Sequence, residues 1–375
     1  MRAPLLIVGQ GLAGTVLGHA CERAGIAFEM ADGGHATALR RSQTRSAGEM
    51  HIQLLREELD AEAEDTRMIP DRRLALMFAC AHPQIEPGLR APLILQTILG
   101  LTAVDIAAAF LIPPATMGQR LVRAKARIKE TGIPFAIPER EDLPERLDAV
   151  LEAIYAAYTK GWAEIGERAA DRLADEAIWL GRLVASLLPD EPEAKGLLAL
   201  MLYAEARRDA RRDHAAYVPL QSQDVALWNR EHIVAAEALL HAANQAGPTG
   251  RYQIEAAIQS AHIARRVSGQ DNWPAIVALY DVLLELTRSP VVRLNRAAAL
   301  AETAGPAAAL ASLEGIGADR RMQQYQPYWA TRVHLCASAN RKAEAHEAFT
   351  LAIGLAIDPA VRRYLAEQRL KLADG

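Results

Sequence analysis

The sequence predicts a mainly α protein: a small N-terminal βαβ-like fragment, then a helix-turn-helix domain, then a long array of paired helices. Three observations point there. The chain is 51% hydrophobic but only 5% aromatic, and its abundant alanine and leucine favour helices over sheets. Between Leu101 and Lys129 two helical patterns are separated by the pair Pro113-Pro114. In the C-terminal third, helical patterns alternate with short breaks, two of which fall at Pro290 and Pro359, 69 residues apart.

At 375 residues the chain can bury a large core and is expected to form two or three domains. The net charge of −4 and pI near 6.2 exclude a generic polyanion binder, so any nucleic-acid contact has to come from a local basic patch. Cys21, Cys80 and Cys336 are far apart, without metal spacing, and suit a reduced cytosol. Cys80 and His82 form a two-ligand fragment that reads as buried packing, so no metal site is expected. No run approaches the ~20 apolar residues of a membrane span, and the N-terminus does not read as a signal peptide. A cytoplasmic protein with no membrane contact is expected.

Residues 1–45 open with the apolar run Leu5-Leu6-Ile7-Val8, which reads as a strand. Gly9-Gln10-Gly11-Leu12-Ala13-Gly14 follows, then a helical run to about Ala24, a second strand at Ile26–Met30 and Asp32 at its end. This is a G-x-G-x-x-G pattern with a strand before it and a helix after it. Gly9, Gly11 and Gly14 permit a tight turn and close approach to a pyrophosphate, and Asp32 is placed to take ribose hydroxyls. The segment resembles the first βαβ unit of FAD-dependent oxidoreductases, which implies FAD or NAD(P) as cofactor. A lone unit lacks the further parallel strands that complete the crevice, and after Arg41 no strand–helix alternation continues. Residues 1–45 therefore read as a truncated dinucleotide-binding-like fragment, displaced by fusion, frame change or a wrongly chosen start. A small surviving nucleotide-binding module and structural reuse of the strand pair stay open.

Residues 46–68 read as a helix running into an acidic linker. Ile69–Ala81 is an expected amphipathic helix, Pro83, Pro87 and Gly88 punctuate the chain, and Pro92–Leu99 is an expected helix closed by Gly100. Thr102 is a plausible N-cap with Asp105 three residues on. Pro113 cannot continue that helix, while Pro114 fits the first turn of the next. At about 100° per residue, Met117, Leu121, Ala124 and Ile128 fall on one arc and Thr116, Arg120, Arg123 and Arg127 on another roughly 110° away. Gln119 borders the second arc. Arg120, Arg123, Lys125, Arg127 and Lys129 come with no acid among them. A short helix, a tight turn and a second helix with an Arg/Thr/Gln face is the layout of a helix-turn-helix, whose second helix enters the major groove. Arginine can bridge guanine O6 and N7, and glutamine can read adenine. A solvated basic helix on an ordinary α-protein is the alternative reading of the same pattern.

Residues Ala115-Thr116-Met117-Gly118-Gln119-Arg120-Leu121-Val122-Arg123-Ala124-Lys125 resemble region 4 of extracytoplasmic-function sigma factors. That family usually has a Gly-Thr-Val-Lys-Ser-Arg-Leu-x-Arg-Ala-Arg type run there, and Gly118 stands where Lys is frequent. The run Ile69-Pro70-Asp71-Arg72-Arg73-Leu74-Ala75-Leu76-Met77-Phe78-Ala79-Cys80-Ala81-His82-Pro83 is similar to one subgroup, which carries a tetratricopeptide-like C-terminal extension. The similarity covers about Leu54 to the C-terminus. It implies a region 4 domain at 69–132 that reads −35 promoter DNA through Thr116, Gln119, Arg120, Arg123, Lys125 and Arg127. It also implies a grip on the β-flap of the RNA polymerase core. Residues 1–53 do not resemble region 2, the part of the family that melts DNA.

A Pro-rich connector is expected at 133–145 and a tetratricopeptide-like helical domain, an α-solenoid, at 146–375. Tyr155-Ala156-Ala157-Tyr158-Thr159-Lys160-Gly161-Trp162 stands where the subgroup has a Tyr-x-x-Phe-Asn-Glu-Gly-Tyr-like run, with Lys160 in place of an acid. Pro192-Glu193-Ala194-Lys195-Gly196-Leu197-Leu198-Ala199-Leu200-Met201 is close to its Pro-Glu-x-x-Gly-Leu-x-Ala-Leu-Met form. Trp273–Leu286 is an expected helix, and Tyr325–Ala339 is expected to pair with Arg341–Ala356, using the small residues Ala343, Ala348 and Ala352. The 69-residue spacing of Pro290 and Pro359 is close to twice the roughly 34-residue tetratricopeptide period. Stacked pairs leave a concave surface for a protein or peptide partner; a helical array that only stabilises the molecule is the alternative.

His214, His232, His241, His262 and His334 are scattered without metal spacing, and no nucleophile elbow, phosphate loop or paired-carboxylate site stands out. The sequence thus points to a non-enzymatic, sigma-factor-like regulator of transcription initiation that lacks region 2 and needs no cofactor. The alternative is an FAD- or NAD(P)-binding oxidoreductase-like protein using the glycine motif.

Overall fold

The computed structural model describes residues 6–7, 29–30, 69–133, 135–163, 168–214, 216–269 and 271–374. Among them the protein is mainly helical, with fifteen α-helices and only two-residue strands. Two compact units divide the chain, Met1–Gly161 with Leu173–Leu187 and Trp162–Arg172 with Leu188–Gly375.

In the first unit β1 (Leu6–Ile7) and β2 (Glu29–Met30) pair in parallel, Leu6 opposite Glu29. Gly9, Gly11, Gly14 and Asp32 lie outside the described residues, as does the expected helix at 49–67. α1 (Arg72–Cys80) begins where the Asp71 carboxylate accepts the Leu74 N–H at 2.9 Å. α2 (Pro87–Thr97) starts earlier than expected, with Pro87 in its first turn and Pro92 inside it. The expectation of a start at Pro92 treated that proline as a boundary. Its missing N–H in fact costs only the bond back to Gly88, in the helix's own first turn. Gly100, at φ +69, reverses the chain, and the Leu101 N–H returns to the Leu95 carbonyl at 2.9 Å.

α3 (Ala103–Ala109) and α4 (Pro114–Thr131) follow, packed on each other and on α2. α4 stops at Gly132, whose left-handed φ of +64 ends it at no steric cost. α5 (Leu143–Ala163) begins in the segment expected to be a connector. Its residues up to Gly161 belong with α1–α4 because they bury Leu143, Leu147, Val150, Leu151 and Ile154. The buried Arg146 also donates to the Phe78 carbonyl at 3.2 Å. α6 (Arg168–Leu187) adds Glu176, paired with Arg73, and Trp179, whose ring lies 5.0 Å below the same guanidinium.

In the second unit α7 (Pro192–Glu205) packs on α8 (Arg230–Ala246) and α9 (Arg251–Ser268). The Pro192–Met201 motif accounts for this contact. The Glu193 carboxylate accepts the backbone N–H groups of Tyr252 and Gln253, at 2.8 and 3.1 Å, satisfying open donors at the N-terminus of α9 where negative charge is favoured. Gly196 lets that end approach, since a Cβ there would sit 2.8 Å from the Gln253 nitrogen. A short antiparallel pair joins β3 (Arg212–Asp213) to β4 (Ala216–Tyr217).

α9 then packs on α10 (Trp273–Thr287), and α10 on α11 (Pro290–Gly317), which breaks at Gly305 (φ 83, ψ 164) before Pro306. After the one-turn α12 (Arg320–Gln323), α13 (Gln326–Ser338) pairs with α14 (Lys342–Leu355) and α14 with α15 (Pro359–Asp374). The α13–α14 pairing is the expected one. The small residues that enter it are Ala345, Ala348 and Ala352; Ala343 is exposed. The helical period starting from Ala352 selects Ala348 and Ala345 and turns position 343 outward.

Candidate nucleic-acid interface

The α3–α4 pair is held by bonds that the local sequence specifies. Thr102 and Asp105 form a reciprocal capping box. The Asp105 N–H donates to the Thr102 hydroxyl at 3.2 Å, and Asp105 Oδ2 accepts from the Thr102 N–H at 3.1 Å and its hydroxyl at 2.6 Å. The other carboxylate oxygen of Asp105 takes the Lys160 ammonium of α5 at 2.9 Å. Partial burial pushes the Asp105 pKa up, but hydrogen bonds from Thr102 and Lys160 outweigh it and hold the carboxyl below its usual value. Lys160 thus has a structural task that an acid at this position could not perform, since it would face Asp105 across the same gap.

The break between the helices is compact. Leu111 takes the left-handed conformation at φ +51. Its N–H bonds the Ala108 carbonyl, and the Ile112 N–H reaches back to Ala107 at 2.9 Å. That is the double closure of a Schellman turn, with Leu where glycine is usual. Pro113 stands at the N-cap position of α4 and Pro114 at its first position, so one helix gives way to the next within a few residues.

α4 seats itself through Met117, Leu121 and Ala124, all buried. Gln119, Arg120, Arg123 and Arg127 are exposed, with Thr116 half-buried beside them. The three arginines share one arc and have no acidic partner among the described residues. Lys125 stands apart. At about 100° per residue it lies roughly 170° from the middle of the Arg arc, on the far side of the buried stripe, and it is half-buried. Desolvation there pulls its pKa down to about 8. Of the six residues expected to touch DNA, five are thus grouped and Lys125 is not. Val122, 63% exposed, lies on the Lys125 side.

Cys80 is buried with its sulfur 3.5 Å from the Thr97 hydroxyl, and burial pushes its thiol up to about 11. Among the described residues no group of three or more His, Cys, Asp or Glu is placed to hold a metal, and no helix is long and apolar enough to cross a membrane. The histidines are less scattered than the sequence suggests, for His262 and His334 line one cleft of the second unit. Partners at i and i+7, Trp273 with Tyr280 and Asn295 with Glu302, were the signal for that cleft.

An uncharacterized protein of Rhizobium meliloti (strain 1021) is 39% identical over 341 residues, spanning 89% of this chain and 80% of that protein. The chain belongs to the same family as that protein. Residues 146–244 match the model of a family of unknown function, DUF6596. That stretch contains Lys160, Glu193 and Gly196, whose contacts are described above. No solved structure matches the chain.

Proposed function

We propose that this protein is a sigma-factor-like regulator of transcription initiation, a DNA-binding protein rather than an enzyme. In this reading α3 and α4 are a helix-turn-helix of region 4 type, α4 is the recognition helix, and the C-terminal helices are a tetratricopeptide-like solenoid that receives a protein or peptide partner. The site would engage −35 promoter DNA in the cytoplasm, with the RNA polymerase core as second partner through its β-flap.

The observation that carries the reading is the exposed arc of Arg120, Arg123 and Arg127 with Gln119 and Thr116 beside it, on a helix whose adjoining apolar stripe is fixed in the core. Arginines without acidic partners on a helix presented after a tight turn suit phosphate contact and guanine reading together. A solvated basic face needs no such turn and no glutamine at its border.

The test is selection of the full chain against a pool of randomised duplexes, followed by anisotropy titration of enriched sequences. Enrichment of one motif is expected, with preference altered at single base positions by Arg120→Ala and Gln119→Ala. Equal affinity for all duplexes, with equal loss from both substitutions, would reduce α4 to a phosphate clamp and overturn the recognition role.

A further inference from the structure

The second unit carries a cleft of about 170 Å³ that nothing above uses. Its walls come from three successive helices: His262 from α9, Trp273 and Tyr280 from α10, and an α11 stripe with Asn295 at one end and Glu302 at the other. Ala298 and Ala299 lie between those ends, so the floor is low where a longer side chain would fill the space. His334 of α13 and Gln221 complete the lining.

The chemistry of the lining is selective. Gln221 and Asn295 each offer both a donor and an acceptor, as does a neutral imidazole. His262 stands edge-on to Trp273 at 5.5 Å, and its buried Nδ1 has no hydrogen-bond partner among the described residues. Desolvation, then the fields of Arg207 and Arg265, lower its pKa to about 4, so it is uncharged at neutral pH. Arg265 itself is stacked on the Trp273 ring at 4.5 Å. Glu302 is the acid in the lining, exposed and with no ion-pair partner among the described residues.

Asn295 and Glu302 are seven residues apart on one helix face, or about 10 Å at 1.5 Å per residue. An extended chain covers that distance in about three residues. Alternating N–H and C=O groups of such a chain match the two-way hydrogen-bonding groups along the walls, and a cation at one end matches Glu302. A purely anionic ligand would meet Glu302 and an uncharged imidazole.

We propose that this cleft binds a short extended peptide segment, with a Lys or Arg side chain against Glu302 and the backbone along Asn295, Gln221 and His262. The proposal deepens, and rests on, the reading that the C-terminal helices receive a peptide. It is independent of DNA recognition by α4.

The experiment uses the full chain labelled with 5-fluorotryptophan, the Trp273 resonance being assigned from Trp273→Phe. Fluorine NMR then follows titration with N-acetylated, C-amidated Ala-Lys-Ala, Ala-Glu-Ala and Ala-Ala-Ala, and with n-butylammonium. A saturable shift of the Trp273 resonance is expected with Ala-Lys-Ala. Affinity should fall fivefold or more for Ala-Glu-Ala, and by a similar factor for Ala-Lys-Ala on Glu302→Gln, an exposed change that spares the core. Ala298→Leu, which fills the floor, should abolish the shift with the fluorine spectrum otherwise retained. Equal responses to the three peptides, an equal response to n-butylammonium, or no effect of Glu302→Gln would each overturn the proposal. No response to any peptide, alongside retained duplex selection, would remove the peptide reading and leave the DNA reading standing.

Discussion

Asp105 offers a sharp test of how the α3–α4 pair is held. Replacing it with Asn keeps the shape but removes the charge that receives Lys160 at 2.9 Å and the full acceptor strength toward the Thr102 N–H and hydroxyl. Loss of a good N-terminal cap costs about 0.5–2 kcal/mol. The ion pair, about a quarter exposed, adds roughly 0.2–1 kcal/mol. Since Asn retains part of the cap, Asp105→Asn should destabilise α3 by about 1 kcal/mol at neutral pH, and Asp105→Ala by about 2. The pH dependence has a definite sign. The folded carboxyl titrates below its unfolded value, so its contribution is fully present above the unfolded pKa and is lost as pH falls through the folded one. The gap between wild type and Asp105→Asn should therefore be constant above about pH 5 and close in more acidic solution. Two compact units need not unfold together, so native-state hydrogen exchange at the amides of Ile106–Ala109 is the proper readout. A double-mutant cycle with Lys160→Met isolates the ion pair, with a coupling of about 0.5 kcal/mol that shrinks in high salt. Unchanged exchange in Asp105→Asn at neutral pH, or a gap that persists undiminished in acid, would refute the assignment.

Other substitutions test separate contacts. Arg123→Ala should lower the slope of log affinity against log salt by about 0.9 if that side chain neutralises one phosphate, while Lys125→Met leaves the slope unchanged; anisotropy across a salt series decides. Because the Lys125 ammonium is held near 8 in the folded protein, its charge opposes folding below that pH. Wild-type stability should rise between pH 8 and the unfolded lysine value, and Lys125→Met should remove that rise in denaturant titrations. Gly196→Ala pushes a methyl to 2.8 Å from the Gln253 nitrogen and should cost about 1–3 kcal/mol, read from hydrogen exchange in α7 and α9. If the chain is a sigma-factor-like regulator whose residues 1–53 do not serve as region 2, run-off transcription with core polymerase and this 375-residue chain should give no full-length product until a region 2 is supplied in trans.

Much of the α3–α4 geometry could be read locally. Thr102 with Asp105 makes a cap whose partners are three residues apart, and the Pro113-Pro114 pair ends one helix and starts the next whatever surrounds it. The buried stripe of Met117, Leu121 and Ala124 follows from helical period alone. The same period separates Lys125 from the arginines. Lys125 stands among the expected DNA contacts through the resemblance, not through its place on the helix.

What the sequence by itself determined is the helical class, the positions of α3 and α4 with the N-cap of α3, and the pairing of α13 with α14. These depend on bonds within a few residues or on one repeating period. Only the tertiary structure decided that Lys160 meets Asp105, 55 residues earlier in the chain, that Glu193 caps a helix beginning at Arg251, and that His262, Glu302 and His334 share one cleft. Each of these is a meeting of side chains whose separation along the chain carries no distance information. The packing of whole helix faces brings them together, and no local propensity encodes which face meets which.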